Sequence, residues 1–97
     1  METEINGAPT ITRDVVVRNK AGLHLRPASR IVKALADMKC EVTLRRDNTV
    51  VTAKSIMSVT TLIAPKDAIL TIEASGPEAE AAVKALVKLF YDKFGEE

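Results

Sequence analysis

At 97 residues and 10.5 kDa the chain has room for one hydrophobic core and no second. Its 46% hydrophobic and 28% charged residues exclude a disordered polar chain, and a formal net charge of +1 supplies no global field for nucleic acid or an anionic membrane. No apolar run approaches the roughly 18 residues of a membrane span, and the polar opening "METEINGAPT" lacks the apolar core of a signal peptide, so a cytoplasmic domain without membrane insertion is expected.

In chain order, residues 1–9 read as a flexible tail ending at Pro9, and residues 10–97 as a single domain. "TITRDVVVRN" is rich in β-branched residues and predicts a strand over about 11–17. "NKAG" makes a turn, after which Ala28, Ile31, Val32 and Leu35 recur at helical spacing. Pro27 is tolerable there only in the first turn, which places the helix start at His24 or Leu25. "CEVTLRR" and "TVVTA" flank "DN" as a hairpin. Cys40, the single cysteine, cannot form an internal disulfide, which suits a reducing compartment, and reads as a small apolar residue at a strand start. "SIMSVTTLI" predicts a short helix with Ile56, Val59, Leu62 and Ile63 on one side, and "AILTIEA" a fourth strand. "SGPEAEAAVKALVKLFYDKF" predicts the longest helix, opened by the capping pattern Ser75-x-x-Glu78, with Ala79, Ala82, Val83, Leu86 and Phe90 buried. The order β-α-β-β-α-β-α implies an α+β fold, a four-stranded, mostly antiparallel sheet with three helices on one face.

The stretch "KAGLHLRPAS" holds the only histidine, at the junction of the first strand and first helix. The first backbone N–H groups of a helix lack internal partners and, with the helix dipole, suit a phosphate or other anion. Gly22 allows a tight turn, Arg26 carries a guanidinium that can fork onto phosphoryl oxygens, and the neutral imidazole of His24 is available as a nucleophile. Together they are the equipment for accepting and giving up a phosphoryl group. A lone histidine at a helix start is more commonly a cap or a surface residue, and on these residues alone that reading stands beside the chemical one. With one histidine and one cysteine, the ligand spacing of a zinc site is absent. A single-stranded RNA-binding module would display aromatics on its central strands, whereas Phe90, Tyr91 and Phe94 all fall in the last helix. A small ligand-binding regulatory domain stays open on topology but leaves His24, Arg26 and Pro27 unexplained together.

"AGLHLRPAS", with "AKSIMSV" further on, resembles the histidine-containing phosphocarrier (HPr) family of the bacterial sugar phosphotransferase system. The family motif is matched by Gly22, Leu23, His24, Leu25, Arg26, Pro27 and Ala28, and the similarity covers about residues 10–93. The resemblance implies an open-faced β-sandwich and a carrier rather than an enzyme. His24 would be phosphorylated on Nδ1 by Enzyme I, which draws on phosphoenolpyruvate, and would pass the group to a histidine of an enzyme IIA domain. Arg26 would stabilise the phosphoryl group, with Gly22, Leu25 and Pro27 shaping the loop around it. No cofactor or metal, and a monomer, are implied. "IEASGPEAEAAVKAL" is also similar to the nitrogen-regulatory branch, whose carrier serves regulation.

The second helix adds two expectations. Met57 points roughly 150° from the apolar cluster at 100° per residue, so it should be exposed as adaptable contact surface. In the family this surface docks Enzyme I and enzyme IIA, which implies a docking patch of Leu25, Ile56 and Met57. Ser55 is a natural helix N-cap. It also falls where many family members carry a regulatory serine modified by HPr kinase/phosphorylase, and a phosphate there would alter docking through its charge.

Overall fold

The computed structural model describes residues 10–96, so the expected tail over residues 1–9 lies outside the described residues. The elements are β1 (Thr10–Val16), α1 (Leu25–Leu35), β2 (Glu41–Arg46), β3 (Thr49–Thr52), α2 (Ile56–Thr60), β4 (Ile69–Ser75) and α3 (Ala79–Tyr91), then a 3-10 turn over Lys93–Gly95. The strands form one sheet in the order β1-β4-β2-β3, and every pairing is antiparallel. This is the expected α+β architecture.

Alternation along the strands decides which face is covered. In β4, Leu70, Ile72 and Ala74 are buried while Ile69 and Glu73 face outward. The three helices close over the buried side with their apolar stripes: Ala28, Ile31 and Leu35 from α1, Val59 from α2, and Ala79, Ala82, Val83, Leu86 and Phe90 from α3. Cys40 is buried just before β2, and burial pushes its thiol pKa up.

Two expectations fail, each for a tertiary reason. Ser75 does not cap α3, because it ends β4, in register with Thr10 on one side and Glu41 on the other. The helix starts at Ala79, with Glu78 at its N-cap and no side-chain cap bond. The Glu78 carboxylate instead accepts from the backbone N–H of Lys39. Ile63 does not join the buried side of α2, because the helix ends at Thr60 and Ile63 turns away with φ +46°. It is 77% exposed.

Two loops meet at one end of the sheet and form the platform for the site. Past β1, Val17 donates to the carbonyl of Ala68 at 2.9 Å and accepts from Asp67 at 2.7 Å. Leu23 donates to the carbonyl of Ala64 at 2.8 Å. The segment before α1 is thereby tied to the connection between α2 and β4.

Candidate functional site

Gly22 begins the approach to α1. Its φ is +79°, and a Cβ there would lie 2.7 Å from the Ala64 carbonyl oxygen, so both backbone sign and space call for glycine. Asn19, fully buried, donates from Nδ2 to the Gly22 carbonyl at 2.7 Å and holds the turn in place. Leu23 anchors in the core.

His24 is then the N-cap of α1, with extended backbone (φ −98°, ψ −161°) and no cap bond from its side chain. Leu25, Arg26 and Pro27 are the first three helical residues. The Leu25 and Arg26 amides have no intrahelical acceptor in the first turn, and Pro27 brings no N–H that would need one. The imidazole is half-exposed and Arg26 is more open still. The placement expected for His24, Arg26 and Pro27 is therefore met.

Sequence reading missed the partner of the histidine ring. Glu96 brings its carboxylate to 3.2 Å from His24 Nε2. Its Oε1 also accepts from Asn19 Nδ2 at 3.0 Å, and its Oε2 lies 4.0 Å from an Arg26 guanidinium nitrogen. Burial pushes the Glu96 carboxyl pKa up, but hydrogen bonds from His24 and Asn19 and the charges of His24 and Arg26 outweigh it and hold the group below its ordinary value. No local signal marks this contact, since His24 and Glu96 lie 72 residues apart. Asn19 carried a weak signal, as an amide in a turn before glycine.

His24 stands between two unlike clefts. One is polar, lined by Lys20, Arg26, Gly95 and Glu96. The other is apolar, lined by Leu23, Leu25, Thr60, Ile63 and Pro65. Leu25 at 62% and Ile63 at 77% exposed line the apolar cleft, Met57 on α2 is 73% exposed, and Ile56 is half-buried against the core. Ser55 caps α2 as expected, its Oγ accepting from the Ser58 amide at 3.2 Å.

A family model described as "PTS HPr component phosphorylation site" matches residues 11–92. The chain belongs to the HPr phosphocarrier family. The phosphocarrier protein HPr of Treponema pallidum is 40% identical over 87 residues, covering 90% of this chain and 99% of that protein. The phosphocarrier protein NPr of Escherichia coli is 34% identical over 89 residues, covering 91% and 99%. Among solved structures, HPr of Thermoanaerobacter tengcongensis superposes with a TM-score of 0.85 at 37% identity, covering 90% of this chain and 98% of that one. The chain is thus a phosphocarrier-type protein of the phosphotransferase system, and among its described residues no helix is long and apolar enough to cross a membrane.

Proposed function

We propose that this protein is a cytoplasmic, monomeric phosphoryl relay in which His24 accepts a phosphoryl group from phosphorylated Enzyme I and passes it to an enzyme IIA domain. The carrying observation is that α1 opens on a histidine that makes no cap bond, leaving ring, first-turn amides and the Arg26 guanidinium around one open space. Nδ1 has no hydrogen-bond partner among the described residues, so its lone pair is free to attack phosphorus. As the bond to Nδ1 forms, the bond from phosphorus to the donor nitrogen breaks and its electron pair returns to the donor ring. The Leu25 and Arg26 amides and the α1 dipole offset the charge on the phosphoryl oxygens, and Arg26 reaches them from the side. Gly22 and Pro27 let the backbone take this shape without a clash or an unpaired donor.

Transfer between proteins needs a docking face, and the exposed Leu25, Met57 and Ile63, with Ile56 at their edge, supply one beside the histidine. Phosphorylation of Ser55 by an HPr kinase/phosphorylase would add charge at this face and regulate docking. The product is the phosphorylated carrier itself, so the protein turns over no small molecule alone. The test is incubation with Enzyme I and phosphoenolpyruvate, followed by mass measurement. One acid-labile phosphoryl group is expected on the wild-type chain, and its absence overturns the reading.

A further inference from the structure

We propose that Glu96 is a positioning residue that holds the proton of His24 on Nε2 and so presents Nδ1 as the transferring nitrogen in both halves of the relay. The proposal rests on His24 being the phosphoryl acceptor. Glu96 lies beyond residues 11–92, the part of the chain that the family model matches.

That segment is built to reach the histidine. Lys93, Phe94 and Gly95 have φ of +57°, +54° and +76°, a run of left-handed residues that turns the chain sharply after α3. Left-handed backbone is unfavourable for lysine and phenylalanine and persists only when its surroundings hold it. Phe94 is the anchor: it is 1% exposed and packs edge-to-face on Phe90, with ring centroids 4.8 Å apart. The turn closes with Glu96 N–H donating to the Lys93 carbonyl at 2.8 Å. The carboxylate is then gripped from the other side by Asn19, whose Nδ2 serves Gly22 and Glu96 at once. Asn19 cannot be flipped, because its Oδ1 would then face two oxygens.

The chemistry follows from the ring. A carboxylate facing Nε2 favours the tautomer with hydrogen on Nε2, leaving the lone pair on Nδ1. After transfer the ring carries a phosphoryl group on Nδ1 and a proton on Nε2, so it is cationic and the Glu96 charge offsets it. In the onward step the electron pair of the N–P bond returns to Nδ1, and His24 leaves as neutral imidazole. Had Nε2 lost its proton, the leaving group would be an imidazolate, a far poorer one. The other charged groups facing the ring are Lys20 and Arg26 in the polar cleft, and both disfavour that proton. The apolar cleft contributes no titratable side chain. Glu96 is therefore the one carboxylate, among the described residues, that keeps Nε2 protonated.

The experiment uses the full chain and has two readouts. Long-range 15N–1H correlation of the His24 ring should show the Nε2–H form in the wild type and a mixture of tautomers in Glu96→Ala. Glu96→Gln should keep the tautomer, since its carbonyl can still accept from Nε2, but lose the charge. Onward transfer from the phosphorylated protein, followed from about pH 6 to pH 9, should then fall at the alkaline end in both variants. The expected loss in Glu96→Ala is about tenfold to a hundredfold, the range for removing a carboxylate that orients a histidine. Thermal melts check that each variant is folded, and the isosteric Glu96→Gln carries the test if Glu96→Ala is not. A wild-type ring protonated on Nδ1, or variants whose tautomer and rate–pH profile match the wild type, would overturn the proposal. If the wild-type chain takes up no phosphoryl group, the relay reading falls instead, while the tautomer measurement still decides the role of Glu96.

Discussion

α1 and α2 begin in opposite ways. Ser55 turns its hydroxyl back onto its own helix and satisfies the Ser58 amide at 3.2 Å, as a capping residue does. His24 occupies the same N-cap position on α1, makes no such bond, and turns its ring toward Glu96 instead. A forgone N-cap costs about 1 kcal/mol. α3 also starts without a side-chain cap, its Glu78 carboxylate being taken by the Lys39 amide. An open helix start therefore points to a site only where, as at His24, a ring and a guanidinium stand beside the free amides. Helix starts of equal standing are separated by what their side chains do with the free amides.

The largest effect expected from this contrast is at His24. Both His24→Ala and His24→Ser should take up no phosphoryl group from Enzyme I, as read by mass. Their stabilities should differ: serine can supply the cap that histidine withholds, so His24→Ser should be about 0.5–1 kcal/mol more stable than His24→Ala in denaturant unfolding. Equal stabilities would mean that the start of α1 gains nothing from a cap, and the contrast with α2 would lose its physical basis. Next comes Arg26. Removing its charge in Arg26→Ala should slow transfer by roughly tenfold to a thousandfold, the order seen for losing one charge-stabilising group. Unchanged rates would remove Arg26 from the site.

At the closed helix start the effect should be on stability. Ser55→Ala should lower unfolding stability by about 1 kcal/mol, a melting shift of about 4–8 °C for a domain of this size. Ser55→Asp should keep a cap, because aspartate is an equally good N-cap, yet weaken binding to Enzyme I through its charge. Calorimetry and melts on the two variants separate cap from docking. If Ser55→Asp melts as low as Ser55→Ala, the cap in α2 is not a matter of one accepting oxygen.

How far the sequence could be read follows from how local each feature is. The strands and the buried stripes of α1 and α3 are written in periods of two and of about 3.6 residues, so the fold class was legible. The placement of His24, Arg26 and Pro27 at the start of α1 was legible because the geometry of a helix start is itself local. Ser75 misled because a hydroxyl three residues before a glutamate reads as a cap, whereas pairing with both β1 and β2 claims that residue for the sheet. Ile63 misled because a helical wheel assumes the helix continues, and α2 stops at Thr60. Glu96 and Asn19, 77 residues apart, meet only once α3 has packed and Phe94 has turned the chain back. No window of sequence contains that contact.

The smallest expected effects lie on the apolar surface beside the two helix starts, and they test whether exposure there means docking. Met57→Ala should weaken binding to Enzyme I by about 1 kcal/mol, as truncating an interface anchor does, with stability changed by less than about 0.5 kcal/mol. Ile63 makes a finer probe, since its left-handed backbone is unfavourable for a β-branched side chain, by about 1 kcal/mol. In Ile63→Gly that strain is relieved, while the unfolded chain gains freedom of comparable size, so stability should move by no more than about 0.5 kcal/mol in either direction. Binding should nonetheless weaken, because the variant removes an apolar side chain that lines the cleft against His24. With that outcome, an exposed residue held in an unfavourable conformation would be kept for what it touches in a partner rather than for stability. Were Ile63→Gly to lower stability by well over 1 kcal/mol with affinity intact, the side chain would be packing rather than docking, and the apolar cleft would be structural.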